Sequence, residues 1–152
     1  MPHVRTQLRN AVKTRLSTVA SLKGVHNMTR HLRGFQSDNL PAVLVAVEET
    51  SSAAPGSFEG ARPVTRDYRV HLQVVLDDIG DAEDAIDAVC VDVEKAMVSS
   101  AFGIGAVQNW KYEATSAVVA QPTEDSILIT QTLLYSGQIQ TLDAEPDRNL
   151  HP

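Results

Sequence analysis

Several residue classes are scarce in this 152-residue chain. Cysteine occurs once, at Cys90, which excludes an internal disulfide and any site built on a cysteine pair. Aromatics are limited to three Phe, three Tyr and one Trp, so a core must be built mainly from Val, Leu, Ile and Ala. No apolar run approaches the roughly 18 residues of a membrane span, and the start, "MPHVRTQLRN", has no apolar segment of signal-peptide type. The expectation is a soluble protein made in a reducing cytoplasm. Acid is missing from the first 34 residues, which hold Arg5, Arg9, Lys13, Arg15, Lys23, Arg30 and Arg33 for a balance of +7. The other six basic residues and all 19 acids lie in 35–152, a balance of −13. Such polarity suits an anionic partner, or identical subunits meeting basic face to acidic face. The basic residues are dispersed and no aromatic accompanies them as a stacking platform for single strands. A solvated helix face accounts for them equally well.

What is present is periodic hydrophobicity. Val4, Leu8, Ala11, Val12, Leu16, Val19 and Leu22 recur at spacings of three and four, which predicts a helix over 3–22 ended by Gly24. Arg5, Arg9 and Lys13 line one edge of that stripe; Arg15 falls nearer its middle and is read as a snorkelling side chain. The stretch "VHNMTRHLRGFQSDN" reads as loop. Residues 42–50, "AVLVAVEET", predict a largely buried strand. In residues 66–77, Tyr68, Val70, Leu72, Val74 and Leu76 share one face of a strand, with Arg69, His71, Gln73 and Asp77 on the other.

A second helix is predicted over 82–99, with Asp81 as N-cap and Glu83 and Asp84 in its first turn. Its apolar stripe is Ala82, Ala85, Ile86, Val89, Val93, Ala96 and Met97. Val91 and Val98 project from the opposite side, one heptad apart, among Asp84, Asp87, Glu94 and Lys95. They form a small second seam that suits a neighbouring subunit. Strands over 109–120 and 126–140 follow, joined by a turn at "QPTED", and the tail 143–152 is expected to be flexible.

The order αββαββ predicts one α+β domain over 1–142. It is a two-layer sandwich in which two helices lie on one face of a four-stranded, mainly antiparallel sheet. Residues 51–65, "SSAAPGSFEGARPVT", stand between two strands that a tight turn could have joined, whereas most connections run about four to six residues. Phe58 and Arg62 put one apolar and one cationic contact on this arm. An arm that gains nothing from the domain's core is retained most simply if it orders on a partner, although a tolerated surface insertion would look the same.

Chemistry is poorly represented. His3, His26, His31, His71 and His151 form no His-x3-His pair, and Cys90 has no cationic neighbour to activate it. The acids of "DDIGDAEDAID" lack the alternating register of a calcium loop, so helix capping and a solvated acidic face account for them. Gly103-x-Gly105 follows a helix and precedes a strand, the reverse of a dinucleotide loop. No catalysis, cofactor or metal is expected.

The succession "VRTQLRNAVKTRLSTVASL", "LPAVLVAVEE", a Gly/Pro/Ser arm, "RDYRVHLQVVL", "DAEDAIDAVCVDVEKAM", "NWKYEATSAVVA" and "SILITQTLLYSGQI" resembles the tail-terminator (tail-completion) proteins of long-tailed bacteriophages. The resemblance covers nearly the whole chain and rests on element order and hydrophobic texture, without a signature motif. It implies a ring, commonly a hexamer, at the head-proximal end of the tail tube. Such a ring stops tube polymerisation and presents a surface to the head connector. The implied partners are copies of the chain, the tail tube protein and the connector or neck protein. DNA would pass through the lumen unread, and the protein would reside in the virion after synthesis in the host cytoplasm. From the helix and loop analysis, the candidate contact residues are Arg5, Arg9, Lys13, Phe58, Arg62, Asp84, Asp87, Val91, Glu94 and Val98. Three alternatives stay open: another neck or head-completion protein, a dimeric domain binding a small regulatory ligand, and a nucleic-acid module using the basic helix.

Overall fold

The computed structural model describes residues 1–29, 39–53, 60–78, 80–122 and 126–152. Helix α1 spans Val4–Leu16 and buries Val4, Leu8, Val12 and Leu16, an i,i+4 row. His3 caps it, its Nδ1 accepting from the Arg5 N–H at 3.0 Å. The helix stops six residues short of the predicted end. There the Ser17 hydroxyl donates to the Lys13 carbonyl at 2.8 Å and the Thr18 hydroxyl to the Arg15 carbonyl at 2.7 Å. Such side chains offer the last turn an alternative to further helix. Val19 and Leu22 still reach the core from the irregular segment that follows. Gly24, expected to end the helix, instead opens strand β1, Gly24–Asn27.

Strands β2 (Ala42–Ala53), β3 (Pro63–Asp77) and β6 (Ile127–Leu142) form the centre of the sheet, with helix α2 (Ala82–Ala96) between β3 and the later strands in sequence. Strands β4 (Gln108–Thr115) and β5 (Val119–Pro122) both pair with β6. The strand order is β1-β2-β3-β6-β4, with β5 also on β6. Every pairing is antiparallel except β1 with β2, which is parallel.

The expected four-stranded, mainly antiparallel sheet is therefore corrected to a six-stranded mixed sheet, within the α+β class. Two local causes account for the difference. Strand β1, "GVHN", is too short to show alternation and draws its ladder from β2, pairing Gly24 with Ala42 through to Asn27 with Val45. The predicted strand over 109–120 is two strands, broken around Ser116, whose N–H bonds the Thr132 carbonyl at 2.9 Å. Register shifts in β4 between Gln108 and Lys111 and between Tyr112 and Ala114 add further irregularity. Asn109 lies in the first of these with φ 53°, a left-handed conformation Asn tolerates better than most residues.

The arm is also shorter than expected. Ser51, Ser52 and Ala53 pair with Arg66, Thr65 and Val64, and Pro63–Asp77 pairs along its full length with β6. The connection reduces to 54–62, of which 54–59, including Phe58, lie outside the described residues. Ser and Ala are weak strand formers, but the β6 ladder extends β3 and β3 carries β2 with it.

Both helices pack on one sheet face. Val43 and Val45 of β2, Tyr68, Val70, Leu72, Val74 and Leu76 of β3, and Ile129, Leu133, Tyr135 and Ile139 of β6 are buried beneath them. The opposite face holds a smaller apolar cluster of Leu40, Ala42, Leu44, Val75 and Leu128, with Met28 against it. Farther along, that face is polar, bearing Glu48, Asp67, Arg69, His71, Ser136 and Gln138.

Residues 143–152 do not form the free tail expected. The Pro146 carbonyl accepts from the Val4 N–H at 2.9 Å, and the Asp147 carbonyl accepts from Gln7 Nε2 at 2.7 Å. The Asn149 amide donates to the carbonyls of Ile104 and Ala106 at 3.1 and 3.0 Å, and the His151 carbonyl accepts from the Ala106 N–H at 2.7 Å. The segment closes the α1 N-terminus against the 104–106 loop.

Candidate assembly surface

Helix α2 turns Ala82, Ile86, Val89, Cys90 and Val93 inward. Asp81 stands at its N-cap position without a side-chain cap bond, so the first-turn acids Glu83 and Asp84 complement the helix dipole instead. Asp84, Asp87 and Val91 are exposed and Glu94 is half-buried. Val91 is 46% and Val98 78% exposed. Val98 follows the C-cap residue Met97, so the two valines are not one helical heptad; the second stands on the exit from the helix. The outward surface of α2 is thus acidic, with an apolar residue midway and another at its end.

The basic helix behaves differently from a free patch. Arg5 Nη1 lies 3.3 Å from Glu49 Oε2, and Arg66 Nη1 lies 3.4 Å from Oε1 of the same carboxylate. The Tyr68 hydroxyl donates to that Oε1 at 2.5 Å, and Arg66 Nε donates to the Thr141 hydroxyl at 2.9 Å. Burial and the nearby carboxylate push the Tyr68 phenol far above its ordinary range, so it stays a donor. Arg15 does more than snorkel. Its guanidinium donates to the carbonyls of Ser99 and Ala101, the latter at 2.7 Å, and its Cζ lies 3.8 Å from the centre of the Phe102 ring. Arg9 and Lys13 make no ion pair among the described residues, and Arg9 Nε is buried without a hydrogen-bond partner. Of the basic candidates on α1, these two remain uncommitted.

At Arg62, the backbone N–H donates to Asp143 Oδ1 at 2.9 Å and the carbonyl accepts from the Asp143 N–H at 2.8 Å, so the base of the connection is pinned to the end of β6. Phe58 lies outside the described residues. The nine described candidates therefore divide among an outward α2 surface, an α1 flank that is partly engaged internally, and, at Arg62, the base of the β2–β3 connection.

Two groupings escaped the sequence reading. Trp110 stacks on Tyr135 at 5.4 Å, meets Phe102 edge-on at 4.8 Å and donates from Nε1 to the Met97 carbonyl at 2.7 Å. Together with Arg15 on Phe102, this fastens the exit of α2 to the sheet. The Glu49–Arg66–Tyr68 grouping was discoverable, because Glu49 follows Val43, Val45 and Val47 on the buried face at period two.

Burial pushes the Cys90 thiol up to about 11, with the carboxylates of Glu94 and Asp87 adding to the rise, and Sγ lies 3.5 Å from Gln131 Oε1. On the helix-free face His71 pairs with Glu48 at 3.2 Å. Ser136 donates to Glu113 at 2.5 Å and holds that carboxyl below its usual range. Among the described residues no group of three or more His, Cys, Asp or Glu is placed to hold a metal ion, and no helix is long and apolar enough to cross a membrane.

No family model matches the chain, and no curated protein matches it. Among solved structures it is similar to a chain from the virion of a native gene transfer agent particle, at 18% identity and a TM-score of 0.42, over 91% of this chain and 92% of that one.

Proposed function

We propose that this chain is a structural protein of a phage-type virion, and specifically a ring-forming tail terminator. The ring would cap the tail tube at its head-proximal end and receive the connector. The sequence resemblance supplies the identity of the ring. The structural observation that supports self-association is the outward surface of α2, where Val91 and Val98 stand exposed beside Asp84 and Asp87. A ring requires a heterologous contact, one surface meeting a different surface on the next copy. The acidic α2 surface and the uncommitted Arg9 and Lys13 of α1 are two such surfaces on one chain. Charge fixes register and speeds encounter, while apolar area holds the contact. No catalytic step, cofactor or sequence-specific DNA contact belongs to this function.

Native mass measurement and negative-stain imaging of the full chain test the proposal. Rings with a central hole at low salt, loosening as ionic strength rises, are the expected result. A clean monomer by light scattering at low salt and high concentration would overturn it. Compact dimers would favour the ligand-binding alternative instead.

A further inference from the structure

Among the described residues, the sheet has two open edges that match. Strand β2 has twelve residues, and β1 pairs with only the first four, Ala42 to Val45. Eight residues, 46–53, have no strand beside them on that side among the described residues. At the other end of the strand order, β4 has eight residues, 108–115, paired among the described residues through β6 alone. Unpaired edges of this length usually invite pairing with another chain unless they are covered or blunted.

Resting on the ring reading above, we infer that neighbouring copies join edge to edge. The free half of β2 from one copy would add to β4 of the next, so that one sheet runs through the subunit boundary. Three observations carry this inference. The open lengths are equal. The senses agree as well, because β2, β3, β6 and β4 alternate in direction, so β2 and β4 run oppositely within the chain. A copy rotated about an axis along the strands therefore sets its β2 antiparallel to β4, the pairing already used through most of this sheet. Finally, the side chains complement each other face by face. On the helix-free side β4 offers Lys111 and β2 offers Glu48; on the helix side β4 offers Tyr112, 46% exposed, and β2 offers the half-buried Val47. Opposite charges, and an aromatic beside a β-branched residue, are favourable cross-strand partners. The register shifts in β4 increase local twist, which a sheet needs if it is to curve around a ring.

The backbone shows where to intervene. The Met28 N–H donates to the Val45 carbonyl at 2.9 Å, so the polar groups of Val45 point away from β3. With β2–β3 register unbroken, the outward amides that follow are Val47, Glu49, Ser51 and Ala53. Proline at 51 removes an amide that β3 does not use, whereas Ser51→Ala keeps it. The full-length Ser51→Pro variant should keep its circular dichroism and the melting temperature of the parent's dissociated form while its native mass falls from the ring to a single 16.5 kDa chain, and Ser51→Ala should still form the ring. A Ser51→Pro ring indistinguishable from the parent overturns the edge pairing and leaves the ring proposal intact. A parent protein that never forms a ring overturns the ring proposal itself. Amide hydrogen exchange on the parent covers the case in which the variant misfolds. Val47, Glu49 and Ser51 should exchange more slowly in the assembled form than in the dissociated one, and equal rates would overturn the inference.

Discussion

Glu49 is the only carboxylate on the buried face of β2, and its neighbours decide its energetics. Arg66 and Glu49 have side chains only 11% and 13% exposed, whereas Arg5 is 42% exposed. Removing the carboxylate leaves a nearly buried guanidinium and the Tyr68 hydroxyl without their acceptor. Glu49→Ala should therefore cost roughly 3 kcal/mol, typical of breaking a buried pair from one side. Arg5→Ala should cost less than about 1 kcal/mol, as exposed pairs usually do. Urea denaturation of both variants checks the contrast, and similar losses would mean that Arg5 is the main partner. Gly137 makes a second sharp case. A Cβ there would lie 2.8 Å from Val107 Cγ1 and 2.9 Å from Trp110 Cε3. Gly137→Ala should destabilise by about 1–3 kcal/mol through overpacking, visible in the same denaturation series. The sequence did display Glu49 in phase with the valines, so the buried pair was legible. The close approach over Gly137 was not, because it depends on a bulged strand bringing Trp110 across β6.

Among the elements, α1 is held at both ends by unusual contacts. At its start His3 must be neutral at Nδ1 to accept the Arg5 N–H. Burial lowers its pKa below 6.5, opposed by Glu49 and assisted by Arg5 and Arg66, with Asp147 opposing more weakly. The unfolded chain therefore binds the proton more readily than the folded one. The resulting stability is complete above about 6.5 and declines as pH falls through the lowered folded value. His3→Asn keeps a good capping acceptor without a titrating ring, so its stability should change less between pH 7 and 5 than the parent's. Chemical denaturation at the two pH values measures this, and parallel losses would rule His3 out. The helix periods were legible because α1 and α2 each bury one stripe. Strand β1 and the split of β4 from β5 were not, because four-residue strands take their conformation from ladder partners distant in sequence. Capping hydroxyls at Ser17 and Thr18 compete with helix continuation in a way that the apolar spacing of Val19 and Leu22 conceals.

At the scale of the whole molecule, the question is how a chain of net charge −6 could associate with itself. Self-repulsion opposes any contact between like surfaces, so an interface must pair unlike regions and bury apolar area as well. Val91 and Val98 lie outside the buried core cluster and are 46% and 78% exposed, so polar replacement there should alter monomer stability only slightly. In a ring closed through this surface, aspartate at both positions would place new charges among Asp84 and Asp87 and remove the apolar contact. The Val91→Asp/Val98→Asp variant should melt within about 2 °C of the parent's dissociated form, a ΔΔG near 0.5 kcal/mol for a domain of this size. It should nevertheless remain monomeric at concentrations where the parent forms rings. The Val91→Ser/Val98→Ser variant separates the two contributions, because serine removes the apolar contact without adding charge. If the serine variant is also monomeric at low salt, the lost apolar area is decisive. An aspartate variant that assembles like the parent at low salt would instead place the subunit contact away from α2, with the matched sheet edges left to provide it.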